Sequence, residues 1–231
     1  MDLLGALGRE ASAFYTAATD LHRPVPSCPA WDVADLVHHL GRAHHFWRRV
    51  AEGVEDEEGV RQIRAPQRPN TAQLVPWAEH ETDMLLAVLD GLDPDAPRWN
   101  WSRAPNTAAF IARRMAHETA VHRWDIENAA GGADPVGHDL AADGVDEFLT
   151  LFLSRGGSYD GPEGVLRLAA TDAGAEWIVN VAAPHPEVVS GEHDPDATVA
   201  TGASDLLLML WGRLPAEEDL LAALVAATDR D

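Results

Sequence analysis

Residues 31–53 read WDVADLVHHLGRAHHFWRRVAEG, and their periodicity decides how the first half of the chain folds. Leu36, Leu40, Ala43, Phe46, Trp47 and Val50 recur at three- and four-residue steps. That is the repeat of one buried face on an α-helix of ~3.6 residues per turn. The pattern predicts a helix from about residue 31 to residue 53, with Asp32 near its positive end. His39 falls inside the apolar stripe, where an imidazole must find a hydrogen-bond partner or a metal. His38 lies roughly 100° away and shares a face with Arg42, His45 and Arg49, which reads as a solvated basic face.

Working outward, the same helical period appears upstream in Leu4, Leu7, Ala11, Phe14, Ala18 and Leu21, until Arg23-Pro24-Val25-Pro26 breaks it. Downstream, residues 55–69 are charged and interrupted by prolines, as in an exposed connection. Asn70 or Thr71 can cap a third helix carrying Leu74, Trp77, Ala78, Leu85, Val88 and Leu89. Asn106 or Thr107 can cap a fourth, running to Ala130 and stopped by Gly131-Gly132. After Pro135 the pattern changes. One helix is expected over residues 139–153, then short alternating runs at 165–168, 176–179 and 197–200, separated by Gly, Pro and Asp as in an antiparallel sheet. Helices over 204–213 and 217–227 close the chain. The expected fold class is α+β: a helical bundle over residues 1–133, then a smaller α/β domain with an antiparallel sheet over 137–231.

Composition excludes several functions. A formal charge of −21 argues against nucleic acid and against anionic membrane surfaces, both of which need clustered cations. All 17 basic residues are arginine, so Schiff-base chemistry on lysine is unavailable to the chain. The single cysteine, Cys28, cannot form an internal disulfide, which fits a reducing cytoplasm, and it reads as a packed thiol. No run approaches the ~18 apolar residues of a membrane span. The start, MDLLGALGREASAF, lacks the basic opening and unbroken apolar stretch of a secretory signal and reads as mature protein.

The chemistry concentrates in the fourth helix. Residues 117–122 read HETAVH, which invites comparison with the zinc-protease pattern HExxH, but His117 and His122 are five apart, about 140° around a helix. Glu118 and His122 are four apart and share a face, so this pair can chelate; the bland alternative is an ordinary intrahelical contact with His117 solvated. Arg114 and Asp125 lie near the same stripe and can support it. Two histidines and a carboxylate would leave coordination positions open, as in catalytic zinc sites, and the same set suits non-haem iron.

Three stretches resemble the mycothiol-dependent maleylpyruvate isomerase family. Residues 28–41, CPAWDVADLVHHLG, resemble its first signature, residues 114–125, RMAHETAVHRWD, its second, and residues 206–213, LLLMLWGR, its closing motif. The resemblance implies a DinB-like four-helix bundle followed by a domain similar to sterol carrier proteins. It implies metal ligation by His39, which stands eight residues after the tryptophan, by Glu118 and by His122. It further implies zinc, mycothiol as thiol cosubstrate, and a substrate-binding role for Arg213.

A protein of that kind is a cytoplasmic enzyme, a monomer or weak homodimer, whose partners are a small electrophile and a low-molecular-weight thiol. Metal-stabilised thiolate is the form that attacks electrophiles. Attack on an activated double bond, rotation and thiol expulsion give cis–trans isomerisation; without expulsion the outcome is S-transfer. Arg213 could pair with a substrate carboxylate, and the Arg42–Arg49 face is a second candidate. Two other classes stay open: metal-assisted hydrolysis by a metal-bound hydroxide, and a non-enzymatic protein that binds a metal or small ligand.

Overall fold

The computed structural model of the chain describes every residue except 154, 156, 157, 192 and 229–231. Its contacts divide the chain into two units, Met1–Asp134 and Pro135–Asp231. The first contains α1 (Leu3–Ala17), α2 (Val33–Ala51), the short α3 (Glu57–Gln62), α4 (Thr71–Asp90) and α5 (Ala108–Ala129). Each long helix opens on a side-chain cap. Asp2, Asp32, Asn70 and Thr107 accept the backbone N–H of Gly5, Asp35, Gln73 and Phe110, satisfying donors that a helix start leaves open. Asp35 returns the contact to the Asp32 backbone, completing a capping box at the start of the helix that carries His39. Short local signals of this kind are why the helix starts follow the sequence so closely.

The four long helices pair as α1 with α5, α5 with α2, α2 with α4 and α4 with α1, a closed ring that places α1 and α2 on a diagonal. Phe14, Leu36, Leu40, Leu74, Leu85 and Met115 fill the interior. Gly41 allows the close approach of α2 to α4, since a Cβ there would stand 2.5 Å from the Trp77 ring. One polar chain crosses this apolar interior. The Thr82 hydroxyl donates to the Ala78 carbonyl (3.1 Å), so it accepts from both the Tyr15 hydroxyl (2.8 Å) and His44 Nδ1 (2.7 Å). That leaves His44 Nε2 to accept from the Thr119 hydroxyl (2.9 Å), which defines a neutral imidazole. Burial enforces that state, pushing the His44 pKa from its usual 6.5 down to about 3.

The second unit contains α6 (His138–Leu151), β1 (Gly164–Ala170), β2 (Ala175–Val181), β3 (Glu187–Val189), β4 (Ala197–Thr201), α7 (Ala203–Leu210) and α8 (Asp219–Ala227). The sheet order is β3-β2-β1-β4. Leu166, Leu168, Val179 and Val181 are buried on one face, while Arg167 and Glu176 form an ion pair (2.5 Å) on the other. Phe148, Phe152 and Trp211 pack edge to face and stacked, tying α6 to the end of α7.

The expected α+β architecture is present, with two differences. The sheet is mixed: β1–β2 and β2–β3 are antiparallel, but β4 lies parallel to β1. The chain leaves β3 at one edge and returns at the other, so β4 arrives in the direction of β1; alternating hydrophobicity is the same for either direction. The connection at residues 55–69 holds the short α3, capped by Asp56. Among the described residues no helix is long and apolar enough to cross a membrane.

Replacing Gly41 with Ala forces the new methyl against Trp77, and urea denaturation should show about 1–3 kcal/mol of lost stability. His44 supplies a pH dependence. The unfolded imidazole takes a proton near 6.5 and the folded one only near 3, so its contribution is complete above pH 6.5 and is lost as pH falls through that window. Between pH 7 and pH 5 this amounts to about 2 kcal/mol. The gap in stability between the wild type and His44→Gln should therefore narrow by that amount over the same interval.

Candidate metal centre

The adjacency of α2 and α5 brings His39 against the stripe formed by Arg114, Glu118, His122 and Asp125. Glu118 Oε1 lies 3.1 Å from His39 Nε2 and 3.3 Å from His122 Nε2, and the two imidazoles meet edge to face at 4.9 Å. All three candidate ligand atoms lie within 4.8 Å of one another. A tetrahedral ion with bonds of ~2.0–2.1 Å needs ligand atoms roughly 3.3 Å apart; the two Glu118 distances match that, and two imidazoles with a carboxylate are a donor set for a divalent ion.

The surrounding residues prepare that set. Burial alone would raise the Glu118 pKa, but the Arg114 guanidinium on its other oxygen, with His122 and His39, holds the carboxyl well below the usual carboxylate range. Burial alone would lower the His122 pKa; its hydrogen bonds to Asp125 and Glu118 outweigh that and raise it. Fully buried Asp125 accepts from His122 Nδ1 (2.9 Å) and from the Ser27 hydroxyl (2.5 Å). With Nδ1 tied to a carboxylate, Nε2 is the nitrogen that faces Glu118 and could meet a metal. Trp31 packs on the His39 ring, centroids 4.8 Å apart.

The structure thus brings together His39, Glu118 and His122, with Arg114 and Asp125 in contact as the helix spacing suggested. His39 is half-exposed and not sealed in the stripe. Its face toward solvent opens on a cleft of about 360 Å³ walled by Ala43, Phe46, Trp47, Ile63 and Pro66. Arg42 and Arg49 are exposed as expected, but His38 and His45 depart from the solvated face expected of them. His38 packs against Trp77 and has its pKa lowered by burial, then by Arg68 and Arg42, while His45 is held by Glu81 at 3.2 Å. His117 is buried, not solvated.

Cys28 packs against the core cluster of α1, α2 and α4, as a structural thiol does. Arg213 follows α7 in the second unit, where its guanidinium donates to the Trp211 carbonyl (2.9 Å). Sequence reading passed over Ser27, Trp31 and His44. His44 stands four residues after Leu40 and so carried a signal of burial; nothing local to Ser27 announced a partner 98 residues away.

Comparison with known proteins places these observations. A search of curated proteins returns no match. A crystal structure of the mycothiol-dependent maleylpyruvate isomerase superposes with a TM-score of 0.61 at 12% sequence identity, covering 92% of this chain and 89% of that one, which establishes a shared fold. Residues 4–127 match the family described as Mycothiol maleylpyruvate isomerase N-terminal domain, and residues 139–231 match the MDMPI C-terminal domain. With more than half of its length matched by the first of these alone, the chain belongs to the mycothiol maleylpyruvate isomerase family.

Proposed function

We propose that this chain is a metal-dependent enzyme that uses mycothiol to isomerise or conjugate a small electrophile, with zinc held by His39, Glu118 and His122. The observation that carries the proposal is the convergence of two imidazole nitrogens and one carboxylate oxygen, from two helices, within 4.8 Å of one another. Membership in a family named for its thiol and its reaction supplies the substrate side of the reading.

A bound zinc ion would supply stabilisation of the thiolate form of the cosubstrate at neutral pH, where a free thiol with a pKa near ~8.5 is mostly protonated. The protein's own groups supply the rest. Arg114 keeps Glu118 ionised, Asp125 fixes which nitrogen His122 presents, and Trp31 steadies the His39 ring. Among the described residues three candidate ligands converge, which leaves room for a thiol beside them. The chain then needs no catalytic cysteine of its own, in keeping with Cys28 packed in the core. For Arg213 the reading keeps the role its motif implies, recognition of the substrate.

Elemental mass spectrometry on tag-free protein, reconstituted with zinc and dialysed, should find close to one zinc per chain. His39→Ala and His122→Ala should lose most of it, and His38→Ala should retain it; the reverse pattern would mean that the wrong histidine has been assigned. With zinc bound, turnover of maleylpyruvate or a related activated alkene should depend on added mycothiol. Turnover in the absence of any thiol would instead indicate a hydrolytic site, and tight zinc binding without turnover of any tested electrophile a binding protein.

A further inference from the structure

We infer that the cleft beside His39 is an anion subsite in which Arg42 and Arg64 bind the carboxylate of a small substrate with an apolar body. The argument starts from how this chain uses its arginines. Acidic residues outnumber them 38 to 17, and along α2 and the connection that follows it four of the six guanidinia are ion-paired. Arg48 contacts Glu52 and Glu81, Arg49 contacts Glu52, Arg61 contacts Glu57 and Glu58, and Arg68 contacts Asp35. Arg42 and Arg64 are the exceptions: among the described residues neither makes an ion pair, and both line the same cleft.

The two come to the cleft from different elements, Arg42 from α2 and Arg64 from the segment between α3 and α4. Phe46, Trp47, Ile63 and Pro66 share the lining with them, as does His39. A volume of about 360 Å³ is within the range of small-molecule sites, and an apolar lining with a few placed charges is their usual make-up. Of the two histidines in the lining, His39 faces Glu118 and His45 is held by Glu81, so the free cationic character of the cleft belongs to the two arginines. A guanidinium matches a carboxylate in plane and in donor spacing. In a chain of formal charge −21, which repels anions at a distance, such a pair is what would select one locally. A carboxylate held there would place the attached apolar body along Phe46 and Trp47, at the open side of His39.

This inference rests on the metal-centre reading for what the substrate is delivered to, but its test does not. Benzoate and its neutral isostere benzamide are titrated by saturation-transfer NMR into the full chain, once zinc-loaded and once chelated. Benzoate should bind about tenfold more tightly than benzamide in both states. Arg42→Gln and Arg64→Gln should each weaken benzoate several-fold, the double variant should lose the preference, and Arg49→Gln should keep it. No binding of benzoate, no preference over benzamide, or a preference that survives the double substitution overturns the assignment. A preference that needs zinc and ignores both arginines places the carboxylate on the metal, sinking this inference while leaving the metal reading intact. Arginine-dependent binding in a chain that takes up no zinc does the reverse.

Discussion

An ionised carboxylate set into the wall of a helical bundle must be compensated where it stands, and in this chain Glu118 imposes that demand on everything around it. One oxygen takes Arg114 from the preceding turn, and the other takes His122 from the following turn and His39 from a different helix. His122 in turn requires Asp125, and Asp125, with no exposure at all, requires Ser27. The sequence of obligations runs from one side chain through two helices and a connecting loop. It links α2 to α5 and ties the loop before α2 to α5.

Much of this was legible in the residues, and the boundary between what was and was not has a physical origin. The helix starts at Asp32, Asn70 and Thr107 are decided by bonds spanning three residues, and such bonds can be read directly. The shared face of Glu118 and His122 follows from a four-residue step on a helix. What periodicity encodes is a face, not the neighbour that the face meets. The pairing of His39 with Glu118 therefore came from the resemblance and not from spacing, and the ring order of the four long helices was not readable at all. The same limit explains the sheet: Ala197–Thr201 shows a strand's alternation, but only the return from the far edge makes it parallel to β1.

The buried histidine His44 and the site histidines His39 and His122 show how position on one bundle separates chemical roles. His44 is closed in by two threonine hydroxyls, Thr82 and Thr119, and burial holds it neutral. His122, only slightly more exposed, is drawn the other way by two carboxylates. His39 has solvent on one side and Glu118 on the other. Three imidazoles within a few helical turns thus have three different electrostatic surroundings, and the difference lies in what α4 and α5 present to each.

The ring order of the helices also sets a timetable for biosynthesis. Since α1 and α2 sit on a diagonal, neither completes its packing against the other, and the contacts that close the interior join residues far apart in sequence. Ser27 meets Asp125, His39 meets Glu118, and Arg123 meets Glu10 across separations of 98, 79 and 113 residues. A nascent chain on the ribosome can form each helix as it emerges, but no part of the candidate site exists until α5 has cleared the exit tunnel and docked. Until then His39 has neither its carboxylate nor its companion histidine. The candidate site is therefore completed in a single late step, together with closure of the bundle.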